Sequence, residues 1–205
     1  MTNTNKTIMS DKTKTYTPTT NIAQTPNRKL KGCIGVLHGE HVADITFDKN
    51  IISATDPCYD SNVWCCKYNI KIVPGDYQVN TYTDDNGRVI ILQIILKDQF
   101  VIDRFNDKSE NINKSWRTIA DNIGVDSGLC GFFQDKPDFT DEEWEDFCQN
   151  ISYDGDGNLW EGKNPNEKGF FTESGYGDGI YSCHAIRMVV GNRKTPRIVA
   201  LELRF

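Results

Sequence analysis

Three carboxylates stand where apolar runs of this chain stop or start: Asp56 before Pro57, Asp126 before Ser127-Gly128, and Asp178 between Gly177 and Gly179. Residues at strand ends of one sheet can meet at one edge of a molecule. Two or three aspartates there could bind a hard divalent cation through oxygen, or divide acid and base roles by splitting their pKa values. Aspartate also belongs at strand ends as a turn former whose side chain accepts from nearby backbone N–H groups. Both readings stay open on the sequence. The run Ser174-Gly175-Tyr176-Gly177-Asp178-Gly179-Ile180-Tyr181 interleaves glycine with an aromatic and a carboxylate. Glycine there lets a ligand or another backbone approach closely and exposes Asp178. The candidate ligand-binding set is therefore Asp56, Tyr59, Asp126, Ser127, Ser174, Tyr176, Asp178 and Tyr181.

Other chemistries find less support. Cys58, beside Asp56 and Tyr59, would need a base to act as a nucleophile, and the imidazoles of His38, His41 and His184 have no diagnostic spacing. Cys183 and His184 are neighbours in a strand pattern, so they point to opposite faces and cannot pair with each other. No Gly-Lys-Ser/Thr follows the glycine-rich run, which leaves a P-loop-like phosphate cradle unsupported. Asp154-Gly155-Asp156-Gly157-Asn158 starts like a calcium loop, but Leu159 and Pro165 stand where that loop requires glycine and glutamate, so it reads as a polar loop.

With 205 residues the chain fits one domain and a tail. A formal net charge of -6 argues against duplex nucleic acid as a partner but does not constrain any single cleft, where a small anionic ligand could still sit. The 7 cysteines form no CxxC pairs and read as reduced thiols. Without an apolar run of membrane-spanning length or a signal-peptide core, the expected setting is soluble and cytoplasmic.

Residues 1–31, rich in Thr, Asn and Lys, are expected to form a disordered polar tail, with the domain over 32–205. Strands are predicted at Cys33–Leu37, at Val42–Phe47 after a Gly39-Glu40-His41 turn, at Ile51–Thr55 and over Trp64–Val73. Tyr77–Tyr82 and Val89–Leu96 read as a hairpin around Asn86-Gly87, its second strand covered on both faces. Phe100–Ile102 reads as a strand, and the spacing of Ile112, Trp116, Ile119 and Ala120 predicts a short helix. Leu129–Phe133 is another apolar run. Thr140 and Glu143 form a capping box for a helix carrying Trp144, Phe147, Cys148 and Ile151 on one stripe, with Phe139 and Trp144 as a hydrophobic staple. Ile180–Val190 and Ile198–Leu203 close the chain as a hairpin. The expected class is α+β and β-rich, with antiparallel hairpins and one or two helices on a face.

The succession Asp56-Pro57-Cys58-Tyr59, Pro74-Gly75-Asp76-Tyr77, Val125-Asp126-Ser127-Gly128 and Ser174 through Tyr181 resembles the domain-of-unknown-function 4241 family of bacteria and their viruses. The resemblance covers about Ile51 to Phe205 and is specific in order as well as motif. It implies no agreed activity; some members look like parts of toxin–immunity or phage–host conflict systems. Two functions are carried forward. One is a binding protein that holds a small polar ligand or a partner segment in a cleft lined by the glycine-rich loop, Asp56 and Asp126. The other is a metal-assisted hydrolase using Asp56, Asp126 and Asp178.

Overall fold

The computed structural model describes residues 22–33, 35–60, 63–107, 112–136, 138, 140–143, 145, 161–163 and 169–205. Among these residues eleven strands form two antiparallel sheets. They are β1 (His38–Phe47), β2 (Ile51–Thr55), β3 (Lys67–Lys71), β4 (Gly75–Thr83), β5 (Val89–Leu96), β6 (Arg117–Val125), β7 (Leu129–Phe133), β8 (Glu161–Lys163), β9 (Gly169–Glu173), β10 (Gly179–Met188) and β11 (Arg197–Arg204). The larger sheet has the order β1-β4-β5-β11-β10-β6, the smaller β3-β2-β7-β9-β8. The class is β-rich α+β, as expected.

Both predicted hairpins form. Tyr77 pairs with Leu96 and Tyr82 with Ile91 across β4–β5, and Ser182 with Arg204 across β10–β11. All eight residues of β5 are buried, including the polar Gln93, so this strand is covered on both faces. The neighbouring β11 runs Ile198–Leu203 fully buried. One core joins Tyr77, Val79, Leu92, Ile94, Leu201 and Leu203 of the larger sheet to Ile52, Phe132 and Phe170 of the smaller.

Several sequence expectations need correction. The chain does not turn at Gly39-Glu40-His41; β1 is continuous, with one extra residue accommodated between His41 and Ala43. Of the expected strand Cys33–Leu37, the described residues 33 and 35–37 form no strand, Leu37 alone making a bridge to Arg28. Phe100–Ile102 belongs to helix α1 (Gln99–Asn106), because the Asp98 carboxylate caps it by accepting from the N–H groups of Phe100 and Val101 at 3.0 and 3.3 Å. The helical spacing of Ile112, Trp116, Ile119 and Ala120 is misleading. Residues 112–115 form one 3-10 turn and then β6 begins, with register shifts against β10 on both sides of the Cys183–Ala120 pair. Each shift adds a residue to β6, which stretches its buried positions to a helix-like interval. Over Trp64–Val73 only Lys67–Lys71 is strand, and Asn69 has φ 56°, which breaks the alternation and leaves Tyr68 exposed. Residues 161–163 and 169–173, which carry β8 and β9, went unread in the sequence.

Residues 22–28, expected to lie in the polar tail, contact the domain. Ala23 is buried, and Arg28 forms an ion pair with the fully buried Glu202. The domain therefore extends at least to Ile22, because single backbone and charge contacts hold this segment where no apolar pattern announces it. The Thr140 capping box is present: the N–H and hydroxyl of Thr140 donate to Glu143 Oε2 at 2.8 and 3.0 Å, and the Glu143 N–H donates back to Thr140 Oγ1 at 3.3 Å. The stripe and staple beyond it, and the Asp154–Asn158 loop, lie outside the described residues. No helix among the described residues is long and apolar enough to cross a membrane.

Candidate functional site

Two adjacent strands change sheets together. The ribbon β6–β7 bends at residues 126–128 and its neighbour β9–β10 bends at 174–178, so the larger sheet's Val125–Gly179 pair gives way to the smaller sheet's Leu129–Glu173 pair. The C-terminal end of β2 abuts the same corner, which brings all the predicted site residues into one region.

Asp56 is wholly buried and its carboxylate is saturated. Oδ2 accepts from the N–H groups of Asp126 and Ser127, each at 2.8 Å, while Oδ1 accepts from the Ser127 hydroxyl at 2.7 Å and the Cys58 N–H at 2.8 Å. Four donors leave it no lone pair directed at a ligand. It holds the end of β2 to the β6–β7 bend, the role of a turn former extended across 70 residues of sequence. Ser127 is consumed in the same seam.

Ser174, also fully buried, does the equivalent work in the second bend. Its hydroxyl lies 2.6 Å from the Gly177 carbonyl and 3.1 Å from that of Gly128, and its N–H donates to Gly128 O at 2.9 Å. The Tyr181 hydroxyl donates to the same Gly177 carbonyl at 2.8 Å, and burial raises its pKa. Gly175 has φ 62°, and a Cβ there would stand 2.1 Å from the Val89 carbonyl oxygen; here glycine is required for backbone-to-backbone approach. Tyr59 is half-buried, and burial, Cys65 and the charges of Asp126 and Asp56 push its phenol up to about 12, so it stays protonated. Of the predicted set, Asp126, Tyr176 and Asp178 face solvent, with the Arg88 guanidinium 5.5 Å from the centre of the Tyr176 ring.

The aspartates thus share a corner without sharing a centre. Among the described residues no three His, Cys, Asp or Glu side chains are grouped to hold a metal ion. The thiols of Cys66, Cys130 and Cys183 are held protonated. Burial pushes the Cys66 thiol, which contacts the Thr55 hydroxyl, up to about 11, and Cys183 and Cys130 are raised well above the ordinary thiol value for the same reason. Cys183 and His184 point to opposite faces of β10, as the strand pattern requires: Cys183 is buried, and His184 contacts Thr118 and Ser182 at 3.2 and 2.8 Å.

No family model, curated protein or solved structure matches the chain.

Two concavities differ from the corner in their lining. One, of about 280 Å³, sits on the smaller sheet among Ser53, Thr55, Asp60, Tyr68, Asp135 and Lys136 and mixes both signs of charge. The other, of about 380 Å³, opens between the edge strand β3 and the ends of β10 and β11. Lys67 and Lys71 come from β3, Arg187 from β10 and Arg197 from β11, over Ile70, Ile119 and Ile198. No carboxylate lines it, and none of these four cations has a salt bridge among the described residues. Asn69, on its wall, holds the left-handed backbone that only glycine and a few polar residues adopt readily. Sequence reading missed this groove because Lys67 and Lys71 look like the solvated side of a strand, and nothing local links them to Arg187 and Arg197.

Proposed function

We propose that the protein is a binding protein for a small multiply charged anion, held in the groove between β3 and the β10–β11 end rather than at the glycine-rich loop. The observation that carries this reading is the gathering of four cations, without a salt bridge among the described residues, over an apolar floor in a chain of net charge -6. Like charges brought together repel one another, and an anion removes that repulsion while gaining charge-assisted hydrogen bonds. Arginine favours bidentate contact with phosphate, and lysine supplies mobile point charges. The groove volume of about 380 Å³ falls among those of small-molecule sites. The three isoleucines suit a ligand with an apolar part beside its charge, as in a nucleoside diphosphate.

Asp56 and Ser174 support this placement indirectly, since the hydrogen bonds of the corner leave their polar groups engaged within the protein. Nothing observed favours the hydrolase alternative. The resemblance to the domain-of-unknown-function 4241 family would set such binding within a phage–host or toxin–immunity conflict, and the groove reading does not depend on it.

Thermal unfolding in ADP, pyrophosphate, inorganic phosphate and adenosine, at equal ionic strength, tests the proposal. ADP or pyrophosphate is expected to raise the melting temperature of the wild type, as a native-state ligand must. The rise should vanish in a folded Arg187→Gln/Arg197→Gln variant. The absence of any anion-dependent rise at millimolar concentration, or a rise that survives the double substitution, would sink the assignment.

A further inference from the structure

Residues 22–28 cross the face of the larger sheet that carries Gln78, Asn80, Gln93 and Glu202, and they are held as a bound peptide would be. The Gln78 side-chain amide takes both backbone groups of Ala23: the Ala23 N–H donates to Gln78 Oε1 at 2.8 Å, and Gln78 Nε2 donates to the Ala23 carbonyl at 2.8 Å. Asn106, at the end of α1, accepts from the Gln24 N–H at 2.7 Å and donates to the Ile22 carbonyl at 3.4 Å. The Thr25 carbonyl passes so close to β1 that a Cβ on Gly39 would stand 2.7 Å from its oxygen. At the far end the Arg28 guanidinium donates to Glu202 Oε1 at 2.6 Å and stacks 4.6 Å from the centre of the Tyr82 ring.

These contacts come from β1, β4, β11 and α1, so the groove is part of the folded sheet and not a property of the segment. Its polar groups are also ordered independently of the segment. Gln78 Nε2 donates to Asn80 Oδ1 at 2.7 Å, Asn80 Nδ2 to Gln93 Oε1 at 2.8 Å, and Gln93 Nε2 to Glu202 Oε1 at 2.8 Å. Arg204 donates to Glu202 Oε2 at 3.0 and 2.9 Å. The Glu202 carboxylate therefore keeps one cation and one amide when Arg28 leaves, which avoids the uncompensated buried charge that makes such pairs hard to open. The segment buries little apolar surface: Ala23 is its one buried apolar residue, and its ladder contact is the single Arg28–Leu37 bridge. Elements with few buried apolar contacts open locally at low cost.

We propose that this groove is a binding site for extended peptides bearing arginine five residues after a small residue, and that residues 22–28 are its resident, displaceable ligand. Main-chain groups are read by Gln78 and Asn106, and arginine is selected by Glu202 with Tyr82. Lysine cannot substitute, because it lacks the planar guanidinium that stacks on the Tyr82 ring while one of its N–H groups meets the Glu202 carboxylate.

The test uses the full chain with Arg28→Ala, which weakens the resident segment, and a fluorescent synthetic peptide of residues 20–31. Saturable binding is expected, at least tenfold tighter to the Arg28→Ala chain than to the wild type, whose groove is filled. The peptide with Arg28→Lys keeps its net charge and should bind at least tenfold more weakly. Equal affinity of the two peptides for a folded Arg28→Ala chain would overturn the proposal. If Arg28→Ala does not fold, a wild-type chain with a specific protease site inserted after Lys31 is cut once folded. Exchange of the cut segment for labelled peptide is then expected, and a folded cut chain that takes up no label refutes displaceability. Concentration-dependent dimers of the wild type that the Arg28→Ala chain does not form would support the site, with a second copy supplying the segment.

Discussion

Replacing Asp56 by asparagine should unfold the corner at which the strands change sheets. The substitution keeps shape and gives up one acceptor oxygen for an NH2 group. Whichever way the amide is turned, two of the four present donors lose their acceptor: the N–H groups of Asp126 and Ser127 on one side, or the Ser127 hydroxyl and Cys58 N–H on the other. The new NH2 also faces donors it cannot satisfy. A hydrogen bond to a charged group is worth about 1.5–3 kcal/mol, and an unsatisfied buried donor costs about 1–3 kcal/mol, so the loss should be about 3–5 kcal/mol. For a chain of this size that lowers the melting temperature by about 6–20 °C. Denaturant unfolding of Asp56→Asn, with Asp178→Asn as the exposed comparison expected within about 0.5 kcal/mol of wild type, provides the measurement. A midpoint for Asp56→Asn indistinguishable from wild type would refute the seam, and would reopen Asp56 as a group held for a ligand.

Three further outcomes follow from the geometry. Gly175→Ala should be markedly destabilising, by roughly 3 kcal/mol or more, because positive φ and a clash with the Val89 carbonyl act together, whereas Gly177→Ala, with φ 81° but open space around the new methyl, should cost about 1 kcal/mol; equal midpoints would show that the Val89 contact is not restrictive. His184 is held down to about 4, by burial first and then by Arg204, so the unfolded chain binds a proton that the native one refuses between the ordinary value of 6.5 and about 4. Stability should therefore be complete above pH 6.5 and fall as the pH drops towards 4, and His184→Gln should flatten that slope; a wild-type slope that survives the substitution would assign it to the carboxylates. Thr140→Ala should cost about 0.5–2 kcal/mol in denaturant unfolding, since it removes the reciprocal bonds with Glu143; no change would mean that this helix start does not contribute to the cooperative unit.

What was legible in the sequence follows from how local each signal is. Asn86-Gly87 and the run after it, apolar but for Gln93, specify a hairpin within twenty residues, and Thr140 with Glu143 declares a helix start within four. The corner was half legible: the types of Asp56, Ser127, Ser174 and the glycines marked the place. Their use inside the protein depends on bonds that span 70 and 46 residues of chain. Bulged strands defeated periodicity, as in β6, because one inserted residue converts a period of two into a local period of three. The basic groove was illegible for a different reason, since Lys71 and Arg187 become neighbours only through the packing of an edge strand against two strands from the far end of the chain.

The placement of β11 between β5 and β10 carries a consequence for biosynthesis. The wholly buried strand β5 finishes emerging from the ribosome about 100 residues before its second partner, β11, is made, an interval of roughly 5–20 seconds at ordinary rates of elongation. Until then the backbone edge of β5 that later pairs with β11 has no partner, and its side chains lack the contacts that β9 and β11 later supply. A nascent chain in that condition presents an unpaired apolar edge. Its yield in the cell should depend on holdase chaperones and on how quickly the segment from Gln99 to Pro196 is translated, while the stability of the finished fold stays the same.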